Sequence, residues 1–312
     1  MRIAILGASP GWHAEQLQQA IQARGHSCTL LPITQLNARV GLSPRLGSLS
    51  ADLDSFDVVL VRFIPAGSLE QIVFRMDALH LLESRGVRVV NRPKAIERTV
   101  DKLYTSGLLE QAGLPTPRTV VCETSADALK AFTALGGDVV VKPLFGAMGL
   151  GIVRIEDRDL AYRVFKALEL EKAVYYLQET IPHNGCDIRA FVIGGRVVAA
   201  MERVSDDWRT NVARGGQARA CRLTPEQTEL CRRAAEVVGA DYAGVDLLPA
   251  ADGRLYLIEV NSIPGWKGLQ TTSPVNIAEE MAAYLETVGQ HPGREFQNLN
   301  HTKILTSLMR DT

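Results

Sequence analysis

The stretch VVVKPLFGAMGLGIV, residues 139–153, decides the fold. A β-branched run ends at Lys142, a loop carries Gly146, Gly149 and Gly151, and a second β-branched run follows. This pattern predicts two antiparallel strands joined by a glycine loop, whose backbone N–H groups can hold phosphates beside the charge of a lysine. A P-loop is excluded, because no Gly-Lys-Ser/Thr precedes a helix. The alternative is an ordinary mobile hairpin with a surface lysine.

A second hairpin is predicted further along the chain, in AGVDLLPAADGRLYLIEVN, residues 243–261. The dipeptide Asp252-Gly253 is typical of a two-residue turn between strands. Such a turn would place Ala251 opposite Arg254 and would determine how the residues of the two strands pair along the rest of the hairpin.

The register of this hairpin predicts a metal site. It places Asp246 opposite Glu259, with Asn261 on the same face of the strand. Two adjacent carboxylates repel each other unless a cation lies between them, and carboxylate and amide oxygens suit Mg²⁺. A solvated acidic edge is the alternative, and the apolar neighbours of these residues disfavour it.

The third feature is a group of cationic and polar side chains on two predicted strands and the loop after them. Arginine forks suit phosphate and carboxylate oxygens. Scattered surface charge is the alternative. The residues are Arg189 in GCDIR, Arg203 after Glu202, and Arg209, Asn211 and Arg214 in WRTNVARGG, residues 208–216.

The length and net charge of the chain limit its possible functions. A chain of 312 residues predicts two or three domains, and 34 basic residues against 35 acidic ones leave a net charge of −1. This near-neutral balance excludes the large basic surface of a general nucleic-acid binder, but it leaves room for a local cationic pocket.

The compartment is predicted from cysteine usage and hydropathy. Five cysteines without a CxxC pair favour a reduced, cytoplasmic protein. The apolar stretch before Gly7 is too short for a signal sequence, and no run of 18 apolar residues predicts a membrane span.

Alternating strand and helix patterns over the first ninety residues predict a parallel sheet covered by helices. We expect residues 37–55 to form a surface loop and residues 95–112 to form one helix. The turn Gly-Ala-Ser-Pro-Gly, residues 7–11, lacks the G-x-G-x-x-G spacing, so a dinucleotide site is disfavoured.

Taken together, these motifs resemble the ATP-grasp carboxylate–amine ligases, and most closely the RimK-like α-L-glutamate ligases. That family includes ribosomal-protein-modifying, LysX-type and tetrahydromethanopterin enzymes. The resemblance runs from about residue 91 to residue 268. Its motifs are DK at 101–102, the glycine loop, QETI at 178–181, GCDIR, WRTNVARGG, AGVD and IEVNSIPG.

The resemblance implies an α/β (α+β) ATP-grasp fold preceded by a Rossmann-like pre-ATP-grasp domain. We expect an N-terminal domain over 1–92, a central lid subdomain over 93–182, a C-terminal metal-bearing subdomain over 183–289, and a tail over 290–312.

The resemblance also implies roles for individual residues. The nucleotide would be bound by Lys102, Lys142, the loop glycines 146, 149 and 151, the backbone of Gln178, Glu179 and Ile181, Asp187 at the ribose, and Arg209. Asp246, Glu259 and Asn261 would hold two Mg²⁺ ions, with Mn²⁺ as a substitute. Arg189, Arg203, Arg214 and Asn211 would act on the acyl phosphate and the tetrahedral intermediate. Ala213 replaces a histidine of some relatives.

The implied activity is ATP-dependent ligation of L-glutamate, through its amine, to a carboxylate acceptor. The glycine-loop sequence and residues 62–80 are most similar to the ligases of C1-carrier cofactors of the tetrahydromethanopterin or methylofuran kind. Arg62 and Arg75 could hold acceptor carboxylates, although surface roles are equally compatible. The alternatives are a ribosomal-protein ligase, ligation of another amine as in the D-alanine–D-alanine ligases, and a non-catalytic ATP-binding regulator. Relatives suggest a homodimer or homotetramer, with neither nucleic acid nor membrane as a partner.

Overall fold

The computed structural model describes residues 1–7, 11–146, 149–210 and 215–290. Its mixture of helices and sheets confirms the predicted α/β (α+β) class. Among the described residues, no helix has the length and apolar character needed to cross a membrane. The predicted turn at 7–11 falls partly, and the predicted tail almost wholly, outside the described residues.

The first ninety residues build a parallel sheet of order β2-β1-β6-β7. Its strands and helices alternate as predicted, since each βα turn brings a helix onto a face of the sheet. The elements are β1 (Arg2–Gly7), α1 (Trp12–Ala23), β2 (Ser27–Pro32), β3 (Leu36–Ala38), β4 (Leu46–Ser48), β5 (Ala51–Asp52), β6 (Val58–Val61), α2 (Leu69–Ser84) and β7 (Arg88–Val90).

The prediction of a surface loop over residues 37–55 was wrong. This segment contains a small antiparallel sheet of order β3-β4-β5 and a 3₁₀ turn at Leu53–Ser55. Leu46 and Leu53 are fully buried in the core beneath α2. Strands of two or three residues are too short for a readable alternation, so the pattern does not reveal the sheet.

The next elements form a four-stranded antiparallel sheet of order β10-β9-β11-β8, covered by two helices. The elements are α3 (Pro93–Val100), α4 (Lys102–Gln111), β8 (Thr119–Cys122), α5 (Ser125–Ala134), β9 (Val139–Lys142), β10 (Val153–Ile155), α6 (Arg158–Leu170) and β11 (Tyr175–Glu179).

The single helix predicted over residues 95–112 is two helices that meet at Asp101. The Asp101 backbone is extended, and its carboxylate accepts a hydrogen bond from Tyr104 N at 3.0 Å, which caps α4. An aspartate favours this position because it satisfies a free helical N–H. The break places Lys102 at the first position of α4, beside the glycine loop.

The C-terminal part builds a five-stranded sheet of order β14-β13-β12-β15-β16. Its elements are β12 (Cys186–Ile193), β13 (Arg196–Val204), β14 (Gln217–Ala220), α7 (Pro225–Val238), β15 (Tyr242–Pro249), β16 (Leu255–Asn261), α8 (Lys267–Gln270) and α9 (Ile277–Gly289). The edge strand β14 was not predicted, because QARA lacks the apolar alternation of a half-buried strand.

The turn of the β15–β16 hairpin differs from the prediction by one residue. Ala250, rather than Ala251, faces Arg254, with a bond from Ala250 N to Arg254 O of 2.8 Å. A β-bulge beside Asp246 compensates for the extra turn residue, so that Asp246 still pairs with Glu259 as predicted. The bulge also turns Leu257 into the core while Glu259 keeps the opposite face.

The two faces of the C-terminal sheet have different partners. One face packs on α7 through Ile188, Val245 and their neighbours. The other face is apolar at one end, where Phe191 and Met201 join a core shared with α1, α9 and the N-terminal sheet. The opposite end of this second face is polar and carries the candidate site.

Candidate active site

Neighbouring strands bring acidic and basic side chains together at the polar end of the C-terminal sheet. Asp187 lies opposite Arg203 in the β12–β13 pair, and Arg189 lies opposite Asp246 in the β12–β15 pair. Because side chains alternate across a strand, residues two apart on β12 share one face. The register alone therefore gathers these four residues.

The four side chains form a continuous network. Arg189 donates to both carboxylate oxygens of Asp246, from Nε at 2.6 Å and from Nη2 at 2.7 Å. Arg203 donates from Nε to Asp187 Oδ1 at 2.6 Å and from Nη2 to both Asp187 Oδ2 and Asp246 Oδ2, the latter at 2.9 Å. Arg189 and Arg203 were expected to act on the acyl phosphate and the tetrahedral intermediate, and in this structure both bind Asp246 directly.

The network holds Asp246 in its charged form. Burial alone would raise the pKa of this carboxyl, but the charges of Arg189 and Arg203 outweigh burial and lower the pKa to about 2. The cation that neutralises Asp246 in this structure is therefore supplied by the protein itself. A metal ion is therefore not needed to balance the charge of Asp246, although the oxygen atoms of the predicted set could still bind one.

Glu259 is the second carboxylate of the predicted metal set, and it is only half-buried. It has no hydrogen-bond or ion-pair partner among the described residues. The third member, Asn261, accepts from Ile263 N at 2.8 Å and keeps a second lone pair on Oδ1. Two carboxylates and an amide on one face fit the oxygen preference of Mg²⁺, so the set remains a suitable magnesium site. The part of the chain that the structure describes holds no cluster of three or more His, Cys, Asp or Glu that could bind a metal.

The glycine loop lies over Glu259 and Lys102. A narrow cavity between them is lined by Pro143, Gly146 and Glu259, among others. Lys102 donates to the carbonyl oxygens of Leu144 at 3.3 Å and Gly146 at 3.1 Å, which ties the start of α4 to the loop. The cavity places a lysine, loop backbone and a carboxylate around one space, as binding a metal-associated polyphosphate requires.

Gly151 shows why the loop needs glycine. Its φ of +73° lies in the left-handed region, and a Cβ at this position would stand 2.8 Å from Pro143 Cγ. Gly149, with a φ of +69°, is also left-handed. Both positions would strain any other residue. Residues 147 and 148 of the loop lie outside the described residues.

Lys142 approaches the same site from β9. Its Nζ donates to Gln178 Oε1 at 2.6 Å. Burial lowers the pKa of Lys142 to about 8, although the nearby charge of Glu259 acts in the opposite direction. Burial also lowers the pKa of Lys102, against the charges of Glu259 and Asp101. Both ammonium groups therefore lie within the field of Glu259.

The side chain of Gln178 was not predicted to contribute. It is buried, and its Nε2 donates to Thr119 Oγ1 at 3.1 Å and Tyr176 OH at 3.2 Å, which orients Oε1 toward Lys142. A glutamine directly after the apolar run YYL of this strand was the available signal, because a buried amide must find partners.

The segment predicted to read adenine continues from β11. The amides of Glu179 and Thr180 donate to Arg118 O and Asp138 O at 2.9 and 3.1 Å. The amide of Ile181 has no acceptor among the described residues. The backbone N–H of Ile181 is therefore the donor that this segment could offer to the adenine base.

Three further predicted residues lie apart from the network or cannot be placed. Arg209 pairs with Asp207 at 2.9 Å and stacks on Trp208. Asn211 and Arg214 lie outside the described residues.

Arg75 and Arg62 have structural partners. Arg75 is buried and donates to Pro65 O at 2.8 Å, so its acceptor role is not supported. Arg62 donates to Tyr242 OH at 3.1 Å and to Pro264 O at 2.8 Å, which joins the N-terminal sheet to the C-terminal one.

Comparison with known families supports the same interpretation. Residues 99–285 match the RimK-like ATP-grasp domain, and residues 1–96 match the RimK pre-ATP-grasp domain. Together these matches cover most of the chain.

Individual relatives resemble the chain along most of its length. It is 35% identical over 265 residues to the tetrahydromethanopterin:alpha-L-glutamate ligase of Methanosarcina acetivorans, a match covering 76% of this chain and 82% of the relative. It is 35% identical over 294 residues to a probable alpha-L-glutamate ligase of Klebsiella pneumoniae, covering 92% and 96%. Among solved structures, the ATP-grasp ligase PsnB complexed with minimal precursor, Mg and ADP superposes with a TM-score of 0.72 at 22% identity, covering 92% and 98%. That structural likeness shows a shared fold.

Proposed function

The chain belongs to the family of RimK-like ATP-grasp proteins, and on this premise we propose that it is an ATP-dependent ligase joining the amine of L-glutamate to a carboxylate acceptor. The observation that carries the proposal is the convergence of two lysines, three carboxylates and two guanidinium groups at one end of the C-terminal sheet. This set matches the charges of a nucleotide, an acyl phosphate and an amino acid.

The first chemical step is phosphoryl transfer. An oxygen of the acceptor carboxylate attacks the γ-phosphorus of ATP, the new O–P bond forms, and the bond to ADP breaks. Lys102, Lys142 and the loop amides reduce the repulsion between the two anions and orient the phosphates. Mg²⁺, when bound, would neutralise further phosphate charge, and Asp246, Glu259 and Asn261 are the residues that would hold it. We propose two such ions.

The second step forms the amide. The glutamate amine attacks the activated carbonyl and a C–N bond forms. The bond between the carbonyl carbon and the phosphate oxygen breaks, and the departing phosphate takes up the proton that the amine loses. Arg189 and Arg203 each keep an Nη1 group without a partner among the described residues, and these groups can donate to the developing oxyanion. A preorganised donor of this kind is worth about 2.7–4 kcal/mol.

We propose a small C1-carrier cofactor of the tetrahydromethanopterin or methylofuran type as the acceptor. The similarity to the Methanosarcina ligase supports this choice. The equally similar relative from Klebsiella pneumoniae is named only as a probable alpha-L-glutamate ligase. The resemblance to ribosomal-protein-modifying ligases keeps a protein C-terminus as the second candidate.

The test is an acceptor panel. The protein is incubated with ATP, Mg²⁺ or Mn²⁺, and labelled glutamate, together with a tetrahydromethanopterin-type acceptor, a methylofuran-type acceptor or a ribosomal-protein C-terminal peptide. We expect ADP release and a product heavier by one glutamate when a C1-carrier acceptor is supplied. ATP binding without ADP release for every acceptor would instead indicate a regulator. Light scattering of the same sample tests the proposed homodimer or homotetramer.

A further inference from the structure

A chain of hydrogen bonds joins Lys142 to the helix that carries Lys102. Lys142 pairs directly with Tyr176 in the β9–β11 ladder, and Gln178 lies two residues further along β11, on the same face. Lys142 Nζ donates to Gln178 Oε1 at 2.6 Å, and Gln178 Nε2 donates to Tyr176 OH at 3.2 Å. The Tyr176 hydroxyl is hydrogen-bonded to Ser106 Oγ of α4 at 2.9 Å. Tyr176 and Gln178 are only 2% and 3% exposed, so water does not compete for these bonds.

Two hydroxyl groups determine which way the Gln178 amide points. An amide side chain has an oxygen that accepts hydrogen bonds and a nitrogen that donates them. Thr119 Oγ1 donates its own proton to Pro117 O at 3.0 Å, so toward Gln178 it can only accept, which it does from Nε2 at 3.1 Å. Tyr176 OH is the second acceptor of the same nitrogen. The oxygen Oε1 is therefore turned toward the Lys142 ammonium, which can only donate.

The Tyr176 hydroxyl holds this arrangement from the side of α4. Without it, the Gln178 amide would keep Thr119 as its only hydroxyl partner and could rotate. A flipped amide would direct N–H donors at the ammonium of Lys142, which would then lose its acceptor. Ser106 follows Lys102 by about one turn of α4, so the same hydroxyl also ties the helix of one lysine to the strand of the other.

We propose that Tyr176, anchored by Ser106, is a positioning residue that fixes Gln178 and, through it, the ammonium group of Lys142. The assignment rests on the proposed function for the role of Lys142 in binding phosphate, but the hydrogen-bond geometry is independent of the acceptor. Tyr176 itself needs no contact with a substrate, since it acts through the amide.

The experiment compares Tyr176→Phe with its matched control, Tyr175→Phe. Tyr175 is the neighbouring residue of β11, and its hydroxyl donates to Phe165 O at 2.9 Å in the core on the other face of the sheet. Each variant removes one hydroxyl from the same buried strand, so urea unfolding should show similar losses of stability. Calorimetric Kd values for ATP, with Mg²⁺ and without acceptor, report positioning.

We expect the Kd for ATP to rise by about 3- to 10-fold in Tyr176→Phe, the range that one hydrogen bond contributes, and to stay at its wild-type value in Tyr175→Phe. If Tyr176→Phe does not fold, Ser106→Ala breaks the same chain at its half-buried end and should raise the Kd as well.

Substitutions of Gln178 provide a second readout, which a merely structural role would not move. An acceptor on the ammonium favours its charged form. Gln178→Met should therefore lower the pKa of Lys142, and Gln178→Glu should raise it. ATP binding should weaken above about pH 8 in wild type, at lower pH in Gln178→Met and at higher pH in Gln178→Glu.

The other titratable groups around Lys142 stay the same in these variants. Burial raises the pKa of the Tyr176 phenol, which keeps it protonated in this range. The charged groups whose fields reach the ammonium are Glu259, Lys102 and Asp246. A shift of the pH dependence in opposite directions can then be assigned to the residue at position 178.

Two results would overturn the proposal. One is an equal change of ATP affinity in Tyr176→Phe and Tyr175→Phe, including no change in either. The other is a pH dependence that stays in place in both variants of Gln178. Because binding needs no turnover, a wild-type protein that binds ATP but forms no amide would contradict the ligase assignment alone. Amide formation by wild type, with unchanged ATP affinity in Tyr176→Phe, would contradict the positioning role alone.

Discussion

Asp246 accepts two hydrogen bonds from Arg189 across neighbouring strands, at 2.6 and 2.7 Å. The pair is nearly sealed from solvent, with side-chain exposures of 6% and 15%. It therefore contributes to the folded structure as well as to the site. Glu259, opposite Asp246 on the next strand, has no such partner among the described residues, so the two carboxylates should respond differently to substitution.

Asp246→Asn should destabilise the protein. Neutralising this residue leaves two buried guanidinium groups without their shared anion, and breaking a buried ion pair typically costs about 3–5 kcal/mol. Urea unfolding followed by circular dichroism measures the loss. If the unfolding free energy fell by less than about 1 kcal/mol, which is the contribution of an exposed ion pair, the predicted destabilisation would be contradicted.

Glu259→Gln should lower turnover without lowering stability. The amide keeps the shape of the side chain and breaks no hydrogen bond or ion pair among the described residues, but it removes one of the two charges available to Mg²⁺. We expect kcat to fall by about 10²-fold or more, as for loss of a group that stabilises the transition state, while Tm changes little. Glu202→Gln serves as the control, and equal losses of activity and Tm would indicate a structural role.

The buried ammonium of Lys142 predicts a basic limb in the pH profile. Its pKa is lowered to about 8 by burial, so above this pH the free protein loses the charge that we propose binds phosphate. The ratio kcat/KM for ATP reports groups of the free enzyme and should fall above about pH 8. Lys142→Arg should move the limb beyond pH 9. An unmoved limb would assign it to another group.

The same lysine predicts the opposite trend in stability. An unfolded chain restores the pKa of a lysine to about 10.4. Between pH 8 and 10 the unfolded state therefore binds more protons than the folded state. Because the unfolding free energy rises with pH whenever the unfolded state binds more protons, this contribution should grow across that range. Urea unfolding of wild type and Lys142→Met at pH 7 and pH 9.5 measures this contribution. The difference in unfolding free energy between the two proteins should change from the lower pH to the higher one in favour of wild type.

Asn91→Ala should weaken the junction between the N-terminal and C-terminal sheets. The buried Asn91 amide donates to Tyr242 O and Ser262 O, at 2.8 and 2.5 Å, and accepts from the amides of Asp241 and Tyr242. Each buried group left unpaired costs about 1–3 kcal/mol, so the loss should amount to several kcal/mol.

Asn276→Ala provides the comparison for this prediction. It removes the N-cap of α9 at an exposed position and should cost about 1 kcal/mol. Equal losses in the two variants, measured by urea unfolding, would contradict the junction role of Asn91.

The sequence predicted most of the regular structure because period-2 and helical patterns reflect burial directly. The glycine loop between β9 and β10 and the pairing of Asp246 with Glu259 were both confirmed. Asp246 pairs with Glu259 because two irregularities, an added turn residue and a bulge, compensate for each other. Neither irregularity changes the hydrophobic pattern, so neither could be read from it. The helix break at Asp101 was missed for a related reason, since apolar spacing continues across a capped junction.

The sequence by itself determined which chemistry the protein can perform, because lysine, arginine and carboxylate groups at strand ends and a glycine loop suit an anionic substrate wherever they lie. Only the tertiary structure decided which of these groups are already partnered. Asp187 and Arg203 are sixteen residues apart along the chain, and Arg189 and Asp246 are fifty-seven apart. Such pairings follow from strand register, and a one-residue shift in register would place each partner on the opposite face of the sheet.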